Sequence, residues 1–351
     1  MARFTIALLG IILPLILIFS VFTGCEKDQD DPEINWPAEI ESTKADYINS
    51  TYAYFEADLS GEILDITATG FCWSTNDTPT IDDNSISMNP EPGIYSHTVS
   101  ALTSGTTYYL RAYYTFEDQT YYGEQITFTT TEPLTDNDGN SYEVVQVGNQ
   151  LWTKENMRVL TYNNNDSIAD GTGIGNYSEM STPRFYFNYE DEQANHETYG
   201  NLYTWYTITD PRGFCPDGWR VPDIVDWEPM IKHLDALASE FESPSQGSIE
   251  ISAIAGGMLR ETGTVENQNG LWHQPNTGAN NITRMSVLPS GMRDPSGAFD
   301  GLGYNAAFWT FTEDSSNQAI MFYTHYFNPG IYANTFSKSS GYAVRCVTDV
   351  P

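Results

Sequence analysis

The stretch CPDGWRVPDIVDWEPMIKHLDAL, residues 215–237, decides how the C-terminal half of this chain folds. It opens with a cysteine and a Pro-Asp-Gly turn, and its apolar residues then recur at the i, i+3, i+4, i+7 and i+10 spacing of a helix. These residues are Trp227, Met230, Ile231, Leu234 and Leu237. One face of the predicted helix is therefore apolar, and we expect it to pack against a second layer of structure.

A proline inside this segment determines where we expect the helix to begin. Pro229 lacks a backbone N–H, and proline is tolerated in the first helical turn because that N–H would have no partner within the helix. If Asp226 is the N-cap, Pro229 occupies the third helical position. The sequence therefore predicts a helix that begins near residue 226, and a helix continuous from residue 223 through 235 would contradict this prediction.

The cysteines predict how this stretch is attached to the rest of the fold. The chain has four cysteines, of which Cys25 follows the N-terminal apolar run. An odd number of remaining cysteines in an exported protein requires an explanation. The simplest one is a disulfide between Cys215 and Cys346, with Cys72 as a buried free thiol in a different domain. The start of the helix would then be linked to the last strand.

Length and charge limit the classes of protein to be considered. With 351 residues, the chain is long enough for about two domains. Lysine and arginine number 15 against 47 acidic residues, which gives a net charge of −32. This negative potential argues against nucleic acid as a partner and against direct electrostatic binding to anionic membranes. Two interpretations remain open, solubility of an exposed surface and binding of cations.

The N-terminus resembles a bacterial lipoprotein signal. Arg3 precedes an apolar run over residues 4–22, which ends in Phe-Thr-Gly-Cys at residues 22–25. The resemblance implies a signal peptide over residues 1–24 and lipid attachment at Cys25, although Phe22 departs from the usual leucine. Residues 25–34 then form an acidic tether, and the protein is expected at the outer membrane and exposed on the cell surface. The alternative is an uncleaved membrane anchor.

Residues 35–131 are predicted to form an all-β sandwich. Short runs rich in Thr, Tyr, Val and Ile, such as TYYLRAYYTF at residues 107–116, recur between turn-forming clusters. The segment LTSGTTY, from Leu102 to Tyr108, resembles the loop before the sixth strand of fibronectin type III domains, where the tyrosine forms a tyrosine corner. Ser104 stands where that family usually has proline. The resemblance implies a fibronectin type III-like spacer domain.

Residues 134–351 are predicted to mix α and β structure. Besides the opening stretch, residues 248–260 allow a short second helix, broken at Gly256 and Gly257. Four strand candidates follow, ITRMSVLPSGMRD, AAFWTFTED, AIMFYTHYF and YAVRCVTD. The Asn- and Gly-rich segment 161–182 is predicted to be a loop.

Six separated motifs in this region resemble one family. In chain order they are GNQLWTKENMR, YGNLYTWY, CPDGWRVPDIVDW, LPSGMRD, AFWTFTED and GYAVRCVTD. Together they resemble the Fibrobacter succinogenes major paralogous domain, which occurs in exported, often lipid-anchored bacterial proteins. The resemblance implies an α+β, C-type-lectin-like domain, in which two helices pack against a small, loop-rich antiparallel sheet.

A lectin-like fold directs the search for site residues to polar loops and aromatic rings. The tripeptide Gln274-Pro275-Asn276 resembles the sugar-binding loop of calcium-dependent lectins, where side-chain oxygens bind the cation and the sugar together. Aromatic rings provide a second way to bind a sugar face. The candidate ligand-binding residues are Trp272, His273, Gln274, Asn276, Tyr323 and Tyr332. No cofactor is expected; calcium is the only one that the motif suggests.

The order of these parts predicts function. We expect a non-enzymatic surface lipoprotein whose distal, lectin-like domain binds a glycan or a protein, in adhesion or nutrient capture, through the loops at residues 161–182 and 262–281. The five histidines lack the spacing of a metal-dependent hydrolase. A polysaccharide-processing hydrolase and a purely structural envelope protein are the alternatives.

Overall fold

The computed structural model describes residues 38–242 and 247–350. The predicted signal peptide, the lipidation site at Cys25 and the acidic tether therefore lie outside the described residues. Over the described ranges, no helix is long and apolar enough to cross a membrane.

The N-terminal part of the described chain is the predicted β-sandwich. Its strands form two sheets, in the orders β1-β2-β5 and β4-β3-β6-β7, with β8 beside β6. Phe55, Phe71, Leu110 and Phe128 pack in the core between them. The strands are β1 (Ala38–Asp46), β2 (Ala53–Gly61), β3 (Ile66–Ser74), β4 (Asn84–Met88), β5 (Gly93–Val99), β6 (Thr107–Phe116), β7 (Gln119–Tyr122) and β8 (Ile126–Thr129).

Two local predictions for the sandwich are confirmed. The backbone N–H of Thr103 donates to the Tyr108 hydroxyl at 3.0 Å, which is the contact expected of a tyrosine corner. Cys72 is a free thiol and is fully buried. Burial raises the pKa of Cys72 to about 11, so this thiol stays protonated and unreactive at neutral pH.

The C-terminal part contains the remaining strands and all four α-helices of the described chain. The helices are α1 (Gln193–Tyr199), α2 (Trp205–Ile208), α3 (Ile224–Leu234) and α4 (Ala255–Leu259), with a 3-10 helix at Tyr189–Asp191. The strands are β9 (Leu134–Thr135), β10 (Ser141–Tyr142), β11 (Val144–Val147), β12 (Gln150–Thr153), β13 (Ala169–Asp170), β14 (Phe185–Phe187), β15 (Leu202–Thr204), β16 (Ile249–Ser252), β17 (Ser290–Arg293), β18 (Phe299–Leu302), β19 (Asn305–Glu313), β20 (Gln318–His325), β21 (Ile331–Ser337), β22 (Gly341–Tyr342) and β23 (Val347–Asp349).

One large sheet organises this part. Its strand order is β13-β14-β15-β22-β17-β19-β20-β21-β16, with β18 paired to β17. A separate three-stranded sheet, β11-β12-β23, pairs a strand near residue 150 with the last strand of the chain. The last strand of the chain therefore pairs with a strand near the start of the region. Strand β21 was not predicted, although its buried and partly exposed residues alternate at its start.

The central strands of the large sheet have a core on each face. On one face, Phe308 and Phe322 pack with Trp227 of α3. On the other face, Trp309 and Met321 pack with residues next to the disulfide. Because side chains alternate between faces along a strand, the consecutive apolar residues of β19 and β20 supply both cores.

Helix α3 packs through the predicted apolar face but begins earlier than predicted. Trp227, Met230, Ile231 and Leu234 are buried, which confirms that face, whereas Leu237 lies beyond the helix and is 93% exposed. The predicted start near residue 226, with Asp226 as the N-cap, is wrong.

The start of α3 is instead a capping box. Asp223 accepts from the Val225 N–H at 2.8 Å, and Asp226 accepts from the Asp223 N–H at 3.0 Å. Pro229 therefore lies at the sixth helical position, where it leaves the Val225 carbonyl without its helical donor. Val225 is 69% exposed, so this turn of the helix faces solvent.

The predicted second helix over residues 248–260 is also corrected. Residues 249–252 form the edge strand β16, and α4 continues through both glycines. A Cβ at Gly256 would lie 2.0 Å from the Gly330 carbonyl oxygen, and one at Gly257 would lie 2.4 Å from that of Gly278. These glycines permit close backbone approach and do not break the helix.

The sandwich packs directly on the C-terminal part. Asp46 Oδ2 lies 2.5 Å from Nε2 of His233, on α3. The Gln146 N–H donates to the Ile48 carbonyl at 2.7 Å, and Tyr47 is buried in the same core as α3. Charged, hydrogen-bonded and apolar contacts therefore join the two parts.

Candidate functional site

The stretch at residues 215–237 is bonded to the last segment of the chain and so holds the C-terminal part together. Cys215 and Cys346 form the predicted disulfide, with Cα atoms 6.0 Å apart. Arg220 and Val347 exchange two backbone hydrogen bonds of 2.9 Å. The Arg220 guanidinium also donates to Asp226 at 3.2 Å and to Asp349 at 3.0 Å, and the hydrogen bond to Asp226 raises the pKa of Arg220. These contacts give the region a structural role.

An aromatic strip runs over the surface of the large sheet at the end of β20. We define it by the rings His273, Tyr304, Tyr326, Phe327, His325, Tyr332 and Tyr323. Each ring contacts the next, with centroids between 4.3 and 6.3 Å apart. Tyr304 is 41% exposed and Phe327 is 53% exposed. The strip is therefore a continuous chain of rings, of which two are exposed and five are partly buried.

Hydrogen bonds from the neighbouring edge strand fix two rings of the strip. The Tyr332 hydroxyl donates to Glu250 Oε2 at 2.7 Å, and the Tyr323 hydroxyl contacts the Ser248 hydroxyl. The rings of Tyr323 and Tyr332 are stacked with an interplanar angle of 28°. Rings held in this way lose little conformational entropy when a ligand binds.

The strip leads into a cleft of about 200 Å³. Tyr323 and His325 belong to both, and Asn305, Asn334 and Phe336 line other parts of the cleft. The Asn305 Oδ1 atom is buried and has no hydrogen-bond partner within the described residues. The cleft thus combines apolar walls with amide groups that have unused hydrogen-bonding capacity, as small-molecule sites do.

Two titratable groups of the strip, His325 and Tyr332, are held in their neutral forms. Burial, reinforced by the charge of Arg260, lowers the pKa of His325, so its imidazole is uncharged at neutral pH. Burial and the hydrogen bond to Glu250 raise the pKa of Tyr332 to about 12, so its hydroxyl stays protonated. These two rings are therefore uncharged at neutral pH on a strongly acidic protein.

Two of the predicted ligand-binding residues do not face solvent, and the prediction for them is wrong. Trp272 is fully buried, and its indole N–H donates to the Val287 carbonyl at 2.9 Å. Asn276 is 7% exposed, and its amide donates to the carbonyls of Glu261 at 2.9 Å and Gly263 at 3.0 Å. Both side chains hold the 262–281 loop together.

The other predicted residues are accessible, and three of them lie in the strip. His273, Tyr323 and Tyr332 are partly exposed strip residues, although they are far apart in the sequence. Gln274 is exposed, and its amide donates to Asn267 at 3.2 Å. The Gln274–Pro275 peptide bond is cis.

Sequence reasoning did not select several strip residues. His325 and Phe327 lie at the end of β20, and Tyr304 immediately precedes β19. The signal was present as the aromatic run FYTHYF, residues 322–327, but a run of aromatic residues is more often core than ligand site. Over residues 38–242 and 247–350, no group of three or more His, Cys, Asp or Glu side chains is placed to hold a metal ion.

The fold and the site together describe a β-rich protein in which a sandwich precedes a disulfide-closed domain with an aromatic surface. The chain belongs to the family of the Fibrobacter succinogenes major domain, which matches residues 145–348. No curated protein matches the chain.

Several solved structures are similar to a smaller share of the chain. Two are a short and a long form of the sensor domain of the anti-sigma factor RsgI4 from Pseudobacteroides cellulosolvens. Each is 20% identical and covers 28% of this chain; the short form matches over 97% of its own length with a TM-score of 0.22, the long form over 95% with 0.23. A computationally redesigned β-sandwich is 22% identical over 27% of this chain and 92% of its own, with a TM-score of 0.20.

Proposed function

We propose that this protein is a non-enzymatic, lipid-anchored outer-membrane protein, exposed on the cell surface, whose C-terminal domain binds a glycan in adhesion or nutrient capture. The observation that carries the proposal is the aromatic strip beside the cleft. Ring faces pack against the flat C–H surfaces of sugars, and the hydroxyl and amide groups at the edge provide hydrogen bonds. A glycan bound on the strip would reach the cleft through Tyr323 and His325, which belong to both.

The arrangement of parts supports surface display. Acylation of Cys25 and the acidic tether would attach the chain to the membrane, and a fibronectin type III-like sandwich would act as a spacer. In the sandwich, the three-stranded sheet β1-β2-β5 faces the sheet that contains β3, β6 and β8. This division into two sheets, together with the hydrogen bond to the Tyr108 hydroxyl, supports the fibronectin type III-like assignment. Helices packed on a mostly antiparallel, loop-rich sheet support a C-type-lectin-like distal domain.

Binding is preferred over hydrolysis because of the groups that line the cleft. A glycosidase requires two carboxyl groups on opposite sides of the scissile bond. The cleft residues within the described part of the chain include neither Asp nor Glu. Glu250, which reaches the strip, is engaged by the Tyr332 hydroxyl.

A glycan array probed with the purified protein tests the proposal, followed by titration of the best ligand with and without a calcium chelator. Tyr323→Ala and Phe327→Ala should each weaken binding about 3- to 10-fold, since one aromatic contact contributes roughly 0.5–1.5 kcal/mol. Phe311→Ala is the matched control, because Phe311 is 50% exposed and lies outside the strip.

Three outcomes would decide between the alternatives. Equal losses in all three variants would mean that the strip is not the binding surface. Binding of proteins but not glycans would favour a protein ligand. No binding to any glycan or surface protein would favour a purely structural envelope protein.

A further inference from the structure

A second cavity, of about 230 Å³, shares no lining residue with the cleft. Its walls come from residues 154–158, the end of α1 and the segments around residues 261 and 286–288, together with the strand-like segment that carries Arg345. Sequence segments far apart in the chain therefore meet at this cavity. The family resemblance did not point to it.

Arg345 is the most unusual residue of this cavity. It is 2% exposed, and its Nε–H donates to Asn156 Oδ1 at 3.2 Å. Its Nη1 donates to the carbonyls of Thr153 at 3.3 Å and Met285 at 3.1 Å. Its Nη2 has no hydrogen-bond acceptor among the described residues, although Arg345 lines the cavity.

The charge of this guanidinium lacks a carboxylate partner. Glu155 is close enough to influence it but forms no ion pair with it, and Glu155 itself accepts from the Glu143 N–H at 2.8 Å. Burial lowers the pKa of Arg345 to about 9, which leaves it protonated at neutral pH. A buried cation is costly unless an anion pairs with it. An anion can reach Arg345 through the cavity.

Two other buried arginines can be compared with Arg345. Arg260 and Arg293 are also almost fully buried, and each donates to a backbone carbonyl. Arg260 lies over the Trp272 ring and Arg293 over the Phe187 ring, as Arg345 lies over Phe308. Neither lines this cavity or the cleft. Arg345 differs because it lines a cavity of about 230 Å³.

The opposite wall offers hydrogen-bonding groups of a different kind. Glu261 accepts from the Leu271 N–H at 2.9 Å through Oε2, so its second oxygen remains for the cavity. Burial raises the pKa of Glu261 and also that of Tyr199, which lies close to it. A buried carboxyl group and a phenol can form hydrogen bonds with the hydroxyl groups of a ligand. Lys154, on the same cavity, is already paired with Glu143.

We propose that this cavity binds a single hexuronic acid, with its carboxylate on Arg345 Nη2 and its hydroxyl groups facing Glu261 and Tyr199. The carboxylate supplies the anion that the guanidinium lacks, and a charge-assisted hydrogen bond forms in a site shielded from water. The volume fits one sugar residue. The site is independent of the glycan surface proposed above.

The test is calorimetric titration of the purified protein with D-glucuronate, D-galacturonate, D-glucuronamide and D-glucose. At least one uronate should bind about 10- to 100-fold more tightly than the uncharged sugars. This difference in affinity corresponds to the free energy of one hydrogen bond to a charged group. Arg345→Lys should weaken uronate binding. Because this variant risks misfolding, two variants at positions with fewer structural contacts accompany it.

Leu288→Trp fills the cavity without removing a polar group and should abolish uronate binding. Glu261→Gln removes a negative charge, keeps the acceptor for Leu271 and should tighten uronate binding several-fold. The proposal is overturned if neither uronate binds, if glucuronamide binds as well as glucuronate, or if Leu288→Trp binds normally. Weaker binding by Glu261→Gln would contradict the assigned orientation. Tyr323→Ala, in the cleft, should leave uronate affinity unchanged.

Discussion

Replacing Cys215 with alanine removes the covalent link between the turn that leads into α3 and the last segment of the chain. The disulfide joins residues separated by 131 positions. In the chain-entropy treatment, crosslinking a loop of this length restricts the unfolded chain by about 5 kcal/mol at 25 °C. The Arg220–Val347 backbone pair remains in the variant, so the native state should keep its fold. The expected effect is a loss of up to about 5 kcal/mol in the free energy of unfolding.

Urea denaturation followed by tryptophan fluorescence measures this loss. Six of the eight tryptophans lie between residues 152 and 309, so the signal reports mainly on the disulfide-closed part. Dithiothreitol should lower the stability of the wild type to that of Cys215→Ala and leave the variant unchanged. Cys72→Ala is the control, since Cys72 is buried but unpaired, and its stability should still respond to the reductant.

Two results would refute this reasoning. If wild type and Cys215→Ala differ by less than about 1 kcal/mol, the disulfide does not restrict the unfolded state as the loop length requires. If the reductant destabilises Cys215→Ala further, another covalent link must contribute. The first result would mean that hydrogen bonds and packing, and not the crosslink, keep this region closed.

Two further predictions concern side chains that the sequence alone did not single out. Asp223→Ala removes the N-cap of α3 and should lower the free energy of unfolding by about 1 kcal/mol, whereas Val225→Ala, at an exposed position of the same turn, should have a much smaller effect in the same urea titration. Hydrogen bonds from Arg212, with the charge of Arg184, lower the pKa of Asp210 to about 2. The stability that this carboxylate contributes is therefore present above pH 4 and lost as pH falls towards 2. Urea titrations at pH 4 and pH 2 should show a smaller loss for Asp210→Asn than for wild type, and an equal loss would exclude Asp210 as a source of acid sensitivity.

The helix shows which part of a local prediction depends on distant residues. The periodicity of Trp227, Met230 and Ile231 predicted the buried face correctly, because burial of an apolar face follows from spacing alone. The start of α3 was predicted too late in the sequence, because we assumed that Pro229 must lie in the first turn of the helix. Asp226 could not serve as the N-cap, since it accepts from the Asp223 N–H and pairs with Arg220. That pairing depends on the turn that precedes the helix.

The candidate site likewise combines features that the sequence predicts with features that depend on distant residues. Trp272 and His273 are adjacent in the sequence and equally plausible as ligand residues, yet one is fully buried and the other lies in the strip. The sequence does not distinguish them, because the direction of a side chain in an irregular loop depends on what packs against it. Gly256 is similar, since its role depends on the backbone of Gly330, which is distant in the sequence.

The sequence by itself determined the sandwich, the apolar face of α3, the family and the disulfide between Cys215 and Cys346. Alternation, helical spacing, motif order and cysteine count are properties of the chain, and they constrain any compact structure that it forms. Only the tertiary structure decided which aromatic rings form the exposed strip and that Arg345 borders a cavity without a carboxylate partner. Exposure and charge pairing depend on which distant segments meet, and no local pattern in the sequence records that.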